Sequence, residues 1–441
     1  MNELTYEELT RELFPRLTGG IRWGLDRTLD LLDSVGNPHQ SFRSIHIGGT
    51  NGKGSVAATL ASILRSDGRF TGLYSSPHLC TFRERIQVDG EAIGKAELLH
   101  AARRLWPAIE RVSASFFEAT TAIAFLALAE AGVEVSVVEV GLGGRLDATN
   151  VIQPELAVVT NIALDHAEYL GNTIESIACE KAGIIKASVP VLTAERDPVA
   201  LAVFRKRAAE LASPLHQLLA NDVTDVAYDI GGTRFELVTQ RHGTIRLRTP
   251  LVGSHQAANV ALAVRGAELL RADLQPSLRA ITEGVDRVRW PARLQVEHIG
   301  TQLWLFDVAH NVAGVNALVA ALRGLALRPP LVIVIGILGD KDWQAMLPPL
   351  FNLADAAVLT RPPTAPLNRA WDPQRVLDAV GSNGALVIHD FTAALEFARE
   401  RAVNGTVLVT GSFHTVGDAL VALDRAPYGS DTTLPHLTFS G

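Results

Sequence analysis

Short runs of β-branched and aliphatic residues alternate with longer stretches whose apolar positions recur at helical spacing, and this rhythm holds through most of the chain. Apolar runs at 44–47, 135–140, 156–160 and 189–193 predict strands. Helical patterns at 55–66, 173–186 and 199–211 fall between or after them. Such alternation is the pattern of parallel strands joined by crossover helices. Residues 235–248 instead alternate apolar and polar side chains around His242-Gly243, which predicts an antiparallel hairpin. From about Leu294 the β/α rhythm restarts, with strands expected near 303–306, 331–335, 357–360, 386–388 and 407–409. Proline at Arg289-Trp290-Pro291 breaks the helix-rich stretch before it, so the boundary between two α/β units is expected there, giving 1–292 and 293–441.

Composition narrows the possibilities. A length of 441 residues exceeds one ordinary core of about 150 and agrees with more than one folding unit. With 47% hydrophobic and 20% charged residues, extensive disorder is excluded. The 40 basic and 47 acidic residues leave a net charge of −7, so no bulk field attracts nucleic acid or anionic lipid, and any polyanion must be gripped locally. Two cysteines, Cys80 and Cys179, are too few for a disulfide framework or a cysteine-based zinc site. The apolar stretch 119–133 is shorter than a membrane span and carries Glu130. The opening MNELTYEELT lacks the apolar core of a secretion signal, so a soluble cytoplasmic protein is expected. Of the 40 Lys and Arg residues only six are Lys, which draws attention to positions that need an amine or a compact ammonium.

Lys53 is one of these. After the strand at 44–47 comes Gly48-Gly49-Thr50-Asn51-Gly52-Lys53-Gly54-Ser55 and then a helical pattern. Glycines let backbone N–H groups converge on phosphate oxygens, and the helix N-terminus adds the positive end of its dipole. Lys53 can neutralise the β- and γ-phosphates, and the Ser55 hydroxyl can reach Mg²⁺. Gly54 separates the lysine from the hydroxyl, a departure from the standard GxxxxGK[ST] spacing. The pattern points to nucleotide binding through Gly49, Thr50, Asn51, Gly52, Lys53, Gly54 and Ser55. A triphosphate brings a metal, and Glu139, near the end of the apolar strand at 135–140, offers a hard oxygen ligand. Asp165 and His166 follow another strand end, on the edge where open α/β sheets bind ligands.

At this point the chain resembles a known family. GGTNGKGS, YSSPHL, RERI, FFEATTAIAF, EVGLGGRLDATN, NIALDHAEYLG, EKAGIIK and DVAHN occur in order along nearly the whole sequence and resemble folylpolyglutamate synthase, the folate branch of the Mur ligase superfamily. Bacterial members are often also dihydrofolate synthases. GGT stands where the family usually has AGT, and DVAHN where DGAHN is commoner. The resemblance implies an N-terminal P-loop ATPase domain with a mostly parallel sheet and helices on both faces, and a smaller C-terminal Rossmann-like α/β domain. It implies an ATP- and Mg²⁺-dependent ligase that phosphorylates a pteroate or folate carboxylate and lets L-glutamate attack the acyl phosphate. Family members are usually monomers, and no nucleic-acid or membrane partner is implied.

Residue by residue, the resemblance implies that Lys53, Lys181 and His166 serve catalysis. Ser55, Ser76, Glu139, His166 and Lys181 would hold Mg²⁺, with Lys181 matching a lysine that the family carries carbamylated. Carbamylation needs a neutral amine, hence a lysine whose pKa is depressed by burial or neighbouring cations. Asn259 would meet adenine, Arg293 the ATP phosphates, and Asp307 the nucleotide. Arg85, Phe117 and Asp147 are candidates for the pterin acid, His310 and Ser412 for glutamate, and Lys341 for organising its own domain. Two other readings remain beside the folate ligase: a Mur-type amino-acid ligase of cell-wall precursor synthesis, and a P-loop ATPase switch that needs no acyl acceptor.

Overall fold

The computed structural model describes residues 5–17, 23–381, 384–432 and 434. Eight strands form the larger sheet: β1 (Arg43–Gly48), β2 (Thr71–Tyr74), β3 (Ile86–Val88), β4 (Glu91–Ala92), β5 (Val135–Glu139), β6 (Leu156–Val159), β7 (Val191–Thr193) and β8 (Leu215–Gln217). They lie in the order β4-β3-β2-β5-β1-β6-β7-β8. From β2 to β8 every neighbouring pair is parallel, whereas β3 and β4 fold back antiparallel at one edge. β9 (Val223–Asp229), β10 (Gly232–Val238) and β11 (Thr244–Thr249) make a separate antiparallel meander, which contains the hairpin expected from the alternation.

The chain then enters a second sheet of β12 (Gln295–Ile299), β13 (Gln302–Asp307), β14 (Leu331–Ile335), β15 (Ala356–Leu359), β16 (Ala385–Val387) and β17 (Thr406–Thr410), ordered β12-β13-β17-β14-β15-β16. The parallel pairs of this sheet carry the expected strands, and β12 adds an antiparallel edge. The mixed α/β class predicted from the alternation is therefore the class observed.

Both sheets are covered on both faces, as parallel strands require. One core of the larger sheet packs helices Lys53–Ser66 and Ser254–Glu268 on the side of Ile45, Ile47 and Val137. The opposite core packs helices Lys95–Arg111 and Phe116–Glu130 against Tyr74 and Val138. Helix Phe116–Glu130 is buried nearly all round, so apolar periodicity does not mark its start; a capping box does, with the Ser115 hydroxyl taking the Glu118 amide and the Glu118 carboxylate taking the Ser115 amide. No helix among the described residues is long and apolar enough to cross a membrane.

Helix Leu278–Asp286 crosses helix Lys53–Ser66 at Gly284, where the Ser62 hydroxyl donates to the Gly284 carbonyl at 2.7 Å. A Cβ at position 284 would lie 2.7 Å from the Ile63 amide nitrogen, so the crossing leaves no room for one. Gly284→Ala is expected to lower the unfolding free energy by about 1–3 kcal/mol, because the helix carrying the glycine loop must shift. A denaturant titration checks this, and a midpoint equal to that of the parent would show that the crossing yields freely.

Candidate active site

Four adjacent parallel strands, β2, β5, β1 and β6, end along one stretch of sheet edge, and their C-terminal loops build the site. This edge is where ligands bind in open α/β sheets. β2 leads into Ser75-Ser76, β5 ends in Glu139, β1 opens into the glycine loop and β6 leads to Asn161, Asp165 and His166. Register fixes the juxtaposition: Ile47 lies opposite Glu139, and Gly48 opposite Val159.

The loop is held from β6. Its Thr50 amide donates to the Asn161 carbonyl at 2.8 Å and its Asn51 amide to Asn161 Oδ1 at 2.9 Å, while Thr160 Oγ1 donates to the Asn51 carbonyl at 2.7 Å. Gly52 has φ of +83° and abuts the Asn259 side chain, so a residue with a side chain would be strained and obstructed there. Gly54 faces the Trp290 indole. Lys53 begins the helix, with Nζ 3.2 Å from the Thr50 carbonyl and 4.0 Å from Glu139 Oε1. Ser55 is buried in the first turn, and Asn259 on helix Ser254–Glu268 donates to Gln256 Oε1 at 3.1 Å.

Charge is concentrated and buried here. Burial pushes the Glu139 carboxyl above its ordinary value, opposed by Lys53, Arg293 and the Ser76 amide, which donates to it at 3.3 Å. Lys181, on helix Ile174–Ala182, is 5% exposed and its Nζ donates to the Gly49 carbonyl at 2.8 Å. Burial, reinforced by Lys53, lowers its pKa from 10.5 to about 7, so a neutral amine is accessible under ordinary conditions. Burial likewise lowers His166 and His310 to about 4, leaving both imidazoles neutral near pH 7.

Burial works against ionisation of Asp165, but nearby cationic groups outweigh it and hold the pKa well below the carboxylate range. With the imidazoles neutral, the lasting partner is the Lys341 ammonium at 2.8 Å. Lys341, expected from the sequence to organise its own domain, also reaches beyond its own sheet to Asp165. Asn311 does the same: Nδ2 donates to Asp165 Oδ2 at 2.9 Å and to Asn51 Oδ1 at 3.0 Å, while Oδ1 caps its own helix through the Gly314 amide at 2.8 Å. Asn311 was not singled out from the sequence, although the DVAHN motif that ends in it was the available signal.

Other candidates gather nearby. An ideal Cβ on Gly141 would lie 3.3 Å from Asp147 Oδ2, 3.6 Å from Ser76 Oγ and 3.8 Å from Phe117, so these three side chains line one small space. Arg85 is buried, donates through Nε to His78 Nδ1 at 2.9 Å, lies over the Phe116 ring at 5.1 Å and has an Nη1 atom without a partner. Arg293 lies over the Trp290 and Phe413 rings at 5.9 and 5.2 Å. His310 sits 3.8 Å from Asp165 and 5.6 Å, ring to ring, from Phe413.

Three candidates already have structural duties: Asp147 accepts from the Thr149 and Leu142 amides at 3.0 and 2.8 Å, and the other two are Asp307 and Ser412. The Asp307 carboxylate accepts from the Leu294 and Ala309 amides at 2.8 and 2.9 Å, and burial raises its pKa to about 6. The Ser412 hydroxyl caps helix Phe413–Ala422 through the Thr415 amide at 3.1 Å. Among the described residues no three His, Cys, Asp or Glu side chains cluster as a metal site. The hard oxygen donor beside Lys53 is the Glu139 carboxylate, which takes the Ser76 amide, and Lys181 could serve as a ligand only once its amine is converted to an anion.

Residues 47–267 match the family model described as Mur ligase middle domain, and residues 292–413 match Mur ligase, glutamate ligase domain. The chain is similar to the dihydrofolate synthase/folylpolyglutamate synthase of Bacillus subtilis, 34% identical over 426 residues that cover 94% of this chain and 98% of that one. It is 41% identical over 348 residues to the folylpolyglutamate synthase of Lacticaseibacillus casei, covering 76% of this chain and 79% of the other. The solved structure of Mycobacterium tuberculosis folylpolyglutamate synthase complexed with ADP superposes with a TM-score of 0.85 at 32% identity, covering 97% of this chain and 98% of that one.

Between about pH 7 and 10.5 the unfolded chain binds a proton at Lys181 that the folded chain does not, so folding is penalised less as pH rises. In bicarbonate-free buffer, the stability of the parent relative to Lys181→Met is expected to climb with pH above 7, by at most about 1.4 kcal/mol per unit. Parallel stability curves for the two proteins would show that the amine titrates normally.

Proposed function

The chain belongs to the Mur ligases, in their folylpolyglutamate and dihydrofolate synthase branch, and from that premise we propose that it uses ATP to join L-glutamate to 7,8-dihydropteroate and to reduced folates. A free carboxylate is a poor electrophile. Its oxygen attacks the γ-phosphorus, ADP leaves, and the acid becomes an acyl phosphate. The amino nitrogen of glutamate then attacks the acyl carbon, and phosphate departs from the tetrahedral intermediate to leave an amide. Positioning and charge neutralisation supply most of what such a reaction needs from a protein.

The residues divide this work. With the Thr50 and Asn51 amides held by Asn161, the amides of 52–55 at the helix N-terminus receive the phosphates, and Lys53 balances their charge. Asn259 meets adenine beside Gly52, and Arg293 lies where it can approach the phosphates from the second sheet. Ser55, Ser76, Glu139, His166 and a carbamylated Lys181 would hold Mg²⁺. The ion would polarise phosphoryl oxygens and offset charge in the transition state. Carbamylation joins the neutral Lys181 amine to CO₂ with loss of a proton, placing an anion beside Lys53. Arg85, Phe117 and Asp147 would receive the pterin acid and His310 would approach glutamate; Ser412 and Asp307 would act through the backbone they hold.

The observation that carries this reading is the meeting of the glycine loop with Glu139, 4.0 Å from Lys53, at the carboxyl ends of parallel strands. A P-loop switch would share that geometry but would hydrolyse nucleotide without an acyl acceptor.

Incubation with ATP, Mg²⁺, L-glutamate and either dihydropteroate or tetrahydrofolate is expected to yield products heavier by one or more glutamyl residues, with steady ADP release that needs both acid and glutamate. Mass analysis reads the products. ADP release independent of both would overturn the ligase reading. Lys181→Ala is expected to lower turnover by about two orders of magnitude, with partial recovery in acetate; undiminished turnover would remove the carbamate from the mechanism.

A further inference from the structure

The loop between Ser76 and Arg85 belongs in sequence to the larger sheet, yet much of what grips it comes from the far end of the chain. Beyond helix Phe413–Ala422 the chain runs back over this loop as a strap, residues 427–432. Asp431 makes the principal contact. Its Oδ1 accepts from Thr81 Oγ1 at 2.8 Å, and its Oδ2 accepts from the Phe82 amide at 2.6 Å and from the Tyr6 hydroxyl at 2.8 Å. Its own amide donates to the Cys80 carbonyl at 3.0 Å. Further along, Arg83 Nη2 donates to the Tyr428 carbonyl at 2.7 Å. Gly417 packs so closely on Leu79 that a Cβ there would overlap the Leu79 backbone.

From inside, the loop is shaped by Glu84, whose buried carboxylate accepts from the Leu79, Cys80 and Thr81 amides at 2.7, 3.0 and 3.0 Å. Glu84 sets the loop's conformation, and Asp431 ties that preformed loop to the segment following the second sheet. The two ends of the tied segment carry Ser76, whose amide meets Glu139, and Arg85, whose carbonyl accepts from the Ser75 amide at 3.0 Å.

We propose that the strap is a clasp, with Asp431 as a positioning residue that fixes the loop presenting Arg85 to the acid substrate. The proposal rests on the ligase reading for its substrate, but not for its geometry. Removing the Asp431 carboxylate costs the loop two hydrogen bonds, from Thr81 Oγ1 and the Phe82 amide, and frees Tyr6 from a third. Asp431 touches neither the glycine loop nor Asn259, and Ser76 keeps its own tie to Glu139, so its removal should leave nucleotide affinity in place.

The test uses the full chain with Asp431→Ala and, as a gentler variant, Tyr6→Phe. In Asp431→Ala the KM for the pteroate-type acid is expected to rise about tenfold while the KM for ATP stays within about twofold. Trypsin should cut after Arg83 and Arg85 about tenfold faster than in the parent, with other sites unchanged. Tyr6→Phe should shift both readouts the same way by about threefold. Unchanged cleavage in both variants would overturn the clasp. So would equal rises in both KM values with cleavage spread along the chain, the sign of general destabilisation. If the parent forms no glutamyl product, the ligase reading fails and the cleavage rates alone decide the clasp.

Discussion

Lys53 and Lys181 lie close enough behind the glycine loop that the charge of one disfavours the charge of the other, and Lys181 is almost wholly removed from water. A buried cation without an anion is costly, and a protein can meet that cost by neutralising the group or by supplying a partner. Both routes are built in here. Lys181 gives up its proton readily and donates to the Gly49 carbonyl, and Lys53 faces Glu139. Lys53, Arg293 and Arg85 all act on the one Glu139 carboxylate, so a further anion is favoured beside them. A triphosphate is the kind of ligand that such a setting favours.

The same logic reaches across to the second sheet. Asp165 accepts from Lys341 and Asn311, and Asn311 also holds Asn51 in the glycine loop. The nucleotide loop, the His166 turn and the start of helix Val312–Arg323 therefore share one hydrogen-bond network. Arg293, stacked between Trp290 and Phe413, adds a second cationic approach from that side. A ligand bound against this network contacts groups from both sheets, which is how a reaction between three substrates can be ordered in one cleft.

Much of this was legible in the sequence. The glycine loop was readable because its chemistry demands glycines, a lysine and a strand-to-helix turn in one contiguous run. Glu139 followed because it ends an apolar strand. Strand β2 was missed because Gly72 interrupts its apolar run, and β3 and β4 because three and two residues give no periodic signal. Asp307 and Ser412 read as chemical residues from their motifs, but their oxygens are engaged by backbone amides, a duty that Asp and Ser at strand ends and caps often have. Lys341 and Asn311 act on Asp165, 176 and 146 residues away in sequence, and no local pattern encodes such a partner. The Asp431 contacts are of the same kind.

The most direct measurement of the central claim is a crystal structure with a non-hydrolysable ATP analogue and Mg²⁺. Phosphates are expected on the amides of residues 52–55 with Lys53 against them, and a cation about 2.1 Å from a Glu139 oxygen. Nucleotide bound away from this loop, or phosphates in place with no cation beside Glu139, would contradict it.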